Sequence, residues 1–181
     1  MALEAVLPNT DYASVISAET LDRLQREQFH HDEQFHREIA RLPIQARLKH
    51  MALHFAKYAG ALFSDPSEDE FRRLVTDTLI IGISSANILN IRLADALNLE
   101  IRSKRTEFEE SLVVAAGQMA AACEKFDHLE DFAFRPVISE QVLKIVAVAL
   151  GEFEDRNWEV AESIAQRLLP VKMKSIFYEA L

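Results

Sequence analysis

The sequence predicts an all-α protein, an antiparallel bundle of about six helices folded as a single helical domain over residues 1–181. Three observations carry that expectation. Glycine and proline number only 4 and 5 in 181 residues, too few turns for a many-stranded sheet. Apolar residues recur at helical spacing through most of the chain, punctuated by helix-start signals. The third is the stretch 74–91, LVTDTLIIGISSANILNI, in which Asp77 is the lone charged residue. A run so apolar reads as a central helix covered on most sides.

The elements follow in order. Residues 1–16 read as an N-terminal extension; Glu4 comes early and neither a basic segment nor a long apolar core is present, so a secretory signal is not expected. Ser17 caps a first helix that carries Leu21, Leu24, Phe35 and Ile39 on one side and ends near Leu42-Pro43. Pro43 suits the first turn of a second helix, with the stripe Leu48, Met51, Ala52, Phe55, Ala59 and Leu62. Ser64-Asp65-Pro66 breaks the chain, and Ser67 with Glu70 forms a capping box for a third helix over 68–97. After a polar link at 102–105, Thr106 with Glu109 repeats that pattern and starts a fourth helix reaching about Lys125, which completes a four-helix core over 17–127. A loop at 128–136 leads to a C-terminal addition, 128–181, with helices over 137–154 and 157–169 and Pro170 breaking or kinking the last.

Composition narrows the function. A 49% hydrophobic content supports a real core, and a net charge of -9 with a pI near 5.2 argues against binding nucleic acid through a broad basic surface. The single Cys123 excludes an internal disulfide and a cysteine-rich zinc site, in keeping with a reducing cytoplasm. Asp77, Asn87 and Asn90 make 74–91 a poor membrane span, so a soluble, cytoplasmic protein without membrane contact is expected.

Asp77 points to a site. A carboxylate in so apolar a helix is paired, protonated or bound to a cation, and five of the six histidines lie between His30 and His54, in the helices that fold back beside it. Short loops make neighbouring helices antiparallel, which sets His36 level with His50 and His54 level with Asp77. At 100° per residue, Gln28, His31, Asp32 and His36 share the side of the first helix's apolar stripe. On the second helix His50, His54, Lys57 and Ala61 form a stripe opposite the apolar one. Histidines at i and i+4 can share an ion, and Asp32 with His36 offers the same spacing. The expected metal set is therefore Asp32, His36, His50, His54 and Asp77, with His54 and Asp77 also catalytic. Its nitrogen and oxygen donors suit zinc, manganese or iron better than magnesium alone. Two plainer readings stand beside it: His50 and His54 line a solvated face, and Lys57, one turn from His54, pairs with Asp77 so that no metal is held.

One family shares part of this pattern. Lys57-Tyr58-Ala59-Gly60-Ala61-Leu62, then Leu74-Val75-Thr76-Asp77-Thr78-Leu79-Ile80-Ile81 and Ala86-Asn87-Ile88-Leu89-Asn90-Ile91, resembles the MazG-like all-α nucleoside triphosphate pyrophosphohydrolases, over roughly residues 20–100. The resemblance implies a helical bundle, often dimeric, whose acidic residues on two helices hold magnesium for cleavage between the α and β phosphates. Asp77 matches the family aspartate; Lys57, Tyr58 and Ala61 stand where the first motif has glutamates, and Leu74 where the second has one. Three readings follow. The chain is a metal-dependent nucleotide hydrolase with a rebuilt site, a pseudoenzyme that binds a nucleotide's phosphates through Lys57 and the histidines, or a non-catalytic helical interaction module. A homo-oligomer is expected, because the second helix uses two faces and Leu143, Val146, Leu150 and Phe153 form a further apolar stripe.

Overall fold

The computed structural model describes residues 16–97 and 105–174, with the side chains of 105 and 106 left out of the description. The described residues form helices α1 (Ala18–Phe35), α2 (Arg37–Ala40), α3 (Ile44–Leu62), α4 (Glu68–Ile88), α5 (Leu93–Ala96), α6 (Arg105–Asp127), α7 (Phe134–Asp155) and α8 (Val160–Met173). No strand occurs among them. Six long helices pack as a bundle, and the two extra elements, α2 and α5, are single turns. Most of the expected N-terminal extension and the polar link lie outside the described residues, as does the side chain of Thr106.

Two helix starts match their signals, whereas α6 begins at Arg105, ahead of the expected Thr106 cap, and α7 and α8 begin at Phe134 and Val160 instead of 137 and 157. Ser17 accepts from the Thr20 amide, and Ser67 and Glu70 close a reciprocal capping box, each satisfying an amide that has no intrahelical partner. Helix ends differ more. The first helix stops at Phe35, where His36 leaves helical geometry at φ -132 and ψ 41, and a single turn, α2, follows. The third helix stops at Ile88 instead of Leu97 because Asn90 turns left-handed at φ 54. There the Ile91 amide donates to the Ala86 carbonyl and the Asn90 amide to that of Asn87, the paired bonds of a Schellman cap. Leu129 and Asn157 end α6 and α7 in the same way, at φ 55 and 52. The last helix runs through Pro170 for another turn.

α4 is the central element, packed against α1, α3, α7 and α8, while α6 covers the other side of α3 and α7. Phe71 of α4 is fully buried, as are Phe55 of α3, Phe108 of α6 and Phe153 of α7. Gly82 lets α4 approach α7 closely: a methyl group there would sit 2.6 Å from Val146 Cγ2. The stripe Val146, Leu150 and Phe153 is buried inside this contact, with Leu143 partly buried against the core. The apolar stripe offered for self-association is thus used within the chain. α3 packs against α6 and α4 and lines the site described below, while Leu53, Ala56, Lys57 and Gly60 form an exposed face.

At the end of α4, a network joins it to α1 and α5. The Gln25 amide nitrogen donates to Asn87 Oδ1 at 3.0 Å and to the Ile91 carbonyl at 2.9 Å, and Gln25 Oε1 accepts from the Leu93 amide at 2.8 Å. Asn87 returns a bond to the Gln25 carbonyl at 2.9 Å. These bonds satisfy the backbone where the Schellman turn leaves the bundle. No described helix is long and apolar enough to cross a membrane.

Candidate functional site

Asp77 is buried, as its apolar surroundings require, at 7% exposure. Its partner is neither Lys57 nor a histidine. Arg167 of α8 binds it in a two-pronged pair, Nε to Oδ1 at 2.6 Å and Nη2 to Oδ2 at 3.1 Å. Lys57 instead lies exposed on the outside of α3, its Nζ 4.7 Å from the Tyr58 ring centre. The angular reading looked for the cation on α3, whereas it comes from α8, 90 residues later in the chain. Tyr58 is buried beside the pair; burial and then the charge of Asp77 push its hydroxyl's pKa up, so it stays protonated. Where the resemblance places magnesium, this chain has an arginine-carboxylate pair and a phenol.

A cavity of about 100 Å³ lies further along the same helices. α1 supplies Gln28, His31 and Asp32, the break after it supplies His36, and α3 supplies Arg47, His50 and His54. Ser84 of α4 and Leu168 of α8 complete its wall, with Ile80 and Ile81 between the cavity and Asp77's turn. Four of the five expected metal residues, Asp32, His36, His50 and His54, therefore line one space. Asp77 does not.

Within it, His54 Nε2 stands 3.1 Å from His50 Nε2, and His54 Nδ1 stands 3.0 Å from the Tyr58 hydroxyl. A bond from Nδ1–H to that hydroxyl selects the tautomer whose Nε2 lone pair faces His50. Lys57 Nζ, 3.4 Å from Nδ1, favours the opposite tautomer but at the outer limit of hydrogen-bond length. Burial, then the charges of Lys57, His50 and His36, lower the His54 pKa from 6.5 to about 4. Burial also lowers that of His31 to about 4, helped by His36 and Lys172. Asp32 is pushed up by burial, against the opposing pull of Ser84, Gln28, His36 and Arg47. The Gln28 amide donates to Asp32 Oδ1 at 2.8 Å.

Three groups on this wall stand out as unpaired. Among the described residues, both ring nitrogens of His31, Nε of Arg47 and Oγ of Ser84 are buried without a regular hydrogen bond. The Ser84 hydroxyl still lies close enough to Asp32 to favour its ionised form. Buried polar atoms are nearly always satisfied, by ordered water or by a bound group, so several around one cavity make it a candidate binding site. Sequence reasoning missed Arg47 and Ser84, although Arg47 precedes His50 by three residues on the same helix face and Ser84 follows Asp77 by seven on another.

Among the described residues, no three His, Cys, Asp or Glu side chains already converge as a metal-holding group. His50 and His54 are hydrogen-bonded to each other through their Nε2 atoms. Compared with protein-family models, with curated proteins and with solved structures, the chain finds no match.

Proposed function

We propose that this chain is a metal-dependent hydrolase acting on a nucleotide's phosphates, with the ion held by His50 and His54 and completed by His36 and Asp32. The observation that carries the reading is the pair of Nε2 atoms 3.1 Å apart on successive turns of α3, at the wall shared with His36 and Asp32. Two nitrogens so spaced, each about 2.0–2.1 Å from a common ion, subtend roughly 100° there, between octahedral and tetrahedral geometry. Imidazoles with one carboxylate suit zinc, manganese or iron. A bound ion of this kind supplies Lewis-acid polarisation of phosphoryl oxygen and activates water. The nucleotide part of the reading rests on the resemblance over residues 20–100.

The chain's own residues do the preparatory work. Burial keeps His54 neutral, the form a ligand needs, and Tyr58 orients its ring from behind. Gln28 holds the Asp32 carboxylate from α1. Asp77 takes a structural part in place of the catalytic one, since its pair with Arg167 fastens α8, whose Leu168 closes the cavity.

A second reading, a nucleotide-binding protein without catalysis, is favoured by the absence of a converged third ligand among the described residues. Its phosphate contacts would fall to the cavity's Arg47, since Lys57 lies on the outer face of α3. Metal analysis of untagged protein, followed by a nucleotide screen with zinc, manganese and magnesium, separates the two. The hydrolase reading expects near-stoichiometric transition metal, lost in His50→Ala and His54→Ala but kept in Lys57→Ala. Metal-free protein that shows no turnover with any of these ions defeats it.

A further inference from the structure

The cavity's groups without a regular hydrogen bond come from three helices: His31 from α1, Arg47 from α3, and Ser84, which lies beside Asp32, from α4. His31 is 4% exposed and Ser84 2%, so water at the surface cannot satisfy them. A guanidinium N–H, an imidazole N–H and a hydroxyl are all hydrogen-bond donors, and they lie around one space. The Arg47 Nε–H and the protonated nitrogen of His31 have no acceptor, and the Ser84 hydroxyl has only the Asp32 carboxylate beside it, so donors outnumber acceptors here and suit a ligand rich in acceptors. A tetrahedral oxyanion is such a ligand, and arginine is the side chain best shaped to grip one.

Size restricts which oxyanion enters. A space of about 100 Å³ is well short of the roughly 300–1,000 Å³ that encloses a drug-sized molecule. One phosphate group fits, but a nucleoside does not. The carboxylate of Asp32 on the same wall opposes an anion, and the charge of Arg47 offsets it. A divalent ion at His50 and His54 would then leave the cavity positive.

We propose that Arg47, His31 and Ser84 form a subsite for a single terminal phosphate group, beside the His50 and His54 pair. The rest of the substrate stays outside the cavity, against the mouth. This deepens the hydrolase reading and rests on it for the neighbouring ion, while its own residues are separate from the metal ligands. It makes the terminal phosphate, and not an internal α–β bond, the part of the substrate that the cavity recognises.

The test is calorimetric titration of inorganic phosphate into untagged protein, metal-free and after loading with manganese or zinc, with bound metal measured in parallel. Wild-type protein is expected to bind phosphate. Arg47→Ala should weaken that binding by about tenfold or more, the worth of a charge-assisted contact, with metal content unchanged. Ser84→Ala should also weaken it, by less than Arg47→Ala, since it removes a neutral hydroxyl that also lies against Asp32. Circular dichroism and melting verify that both variants remain folded. Phosphate binding that is absent in both metal states, or that is unaltered in Arg47→Ala and Ser84→Ala, overturns the subsite. Arg47-dependent phosphate binding in a protein that takes up no metal supports the subsite and instead overturns the metal reading.

Discussion

Replacing Arg167 with alanine should destabilise the protein more than replacing Asp77, although the two form one ion pair. The reason is their unequal burial. The Asp77 side chain is 9% exposed, so without Arg167 its carboxylate is left charged in a low-dielectric setting with no cation bonded to it. Stranding a buried charge in this way costs about 3–5 kcal/mol. The Arg167 side chain is 35% exposed, so in Asp77→Ala its guanidinium can turn to water, and the loss is nearer about 1–3 kcal/mol. Removing both charges at once, in Asp77→Leu with Arg167→Met, should cost less than Arg167→Ala alone, because no buried charge remains. Urea denaturation followed by circular dichroism gives all three values, and their order is the test. An Arg167→Ala variant within about 1 kcal/mol of wild type would refute the assignment of Arg167 as the partner that stabilises Asp77. A double variant as unstable as Arg167→Ala would show that packing of α8, and not charge, sets the cost.

Three further outcomes follow from the packing. Gly82→Ala places a methyl group 2.6 Å from the stiff Val146 side chain, and the overpacking penalty should exceed the gain in helix propensity, for a net loss of about 1–2 kcal/mol in denaturant melts; a variant more stable than wild type would mean that α4 and α7 separate easily. Gln25→Ala unpairs the Leu93 amide and Asn87 Oδ1 and should cost about 2–4 kcal/mol, with hydrogen exchange speeding first at Leu93, whereas a cost below about 0.5 kcal/mol would discount the network. Acid should weaken the fold through its histidines: His31 and His54 have folded-state pKa values of about 4 against an ordinary 6.5, so the unfolded chain binds their protons first. Their stabilisation is complete above about pH 6.5 and is lost as pH falls towards 4, worth at most about 3 kcal/mol for His31 and less for the half-buried His54. Asp32 acts in the opposite sense, since its raised pKa lets the folded state take up a proton before the unfolded one. A pH titration of His31→Phe stability is the check; an acid slope between pH 6.5 and 4 as steep as that of wild type would remove His31 from this account.

Local signals in the sequence determined much of the molecule. The caps at Ser17 and Ser67, the apolar stripes of α3 and α4, and the all-α class are written in neighbours three or four residues apart, which is the range over which helices form. The same short-range geometry brought Asp32, His36, His50 and His54 to one cavity, because only the single turn α2 and short connections separate α1 from α3. The end of α4 was legible in principle, since asparagine tolerates the left-handed turn taken by Asn90, but the apolar residues beyond it continued the helical period and masked the stop. Tertiary structure alone decided what Asp77 meets. Lys57 and Arg167 are both cations that a helix could aim at it, and the choice depends on where α8 docks, a contact 90 residues apart in the chain. It also decided that the C-terminal stripe is core, and that Arg47 and Ser84 line the same cavity as the histidines. Periodicity assigns each residue a face on its own helix, whereas the burial that gives Asp77, His31 and Ser84 their chemistry is set by which other helices cover that face.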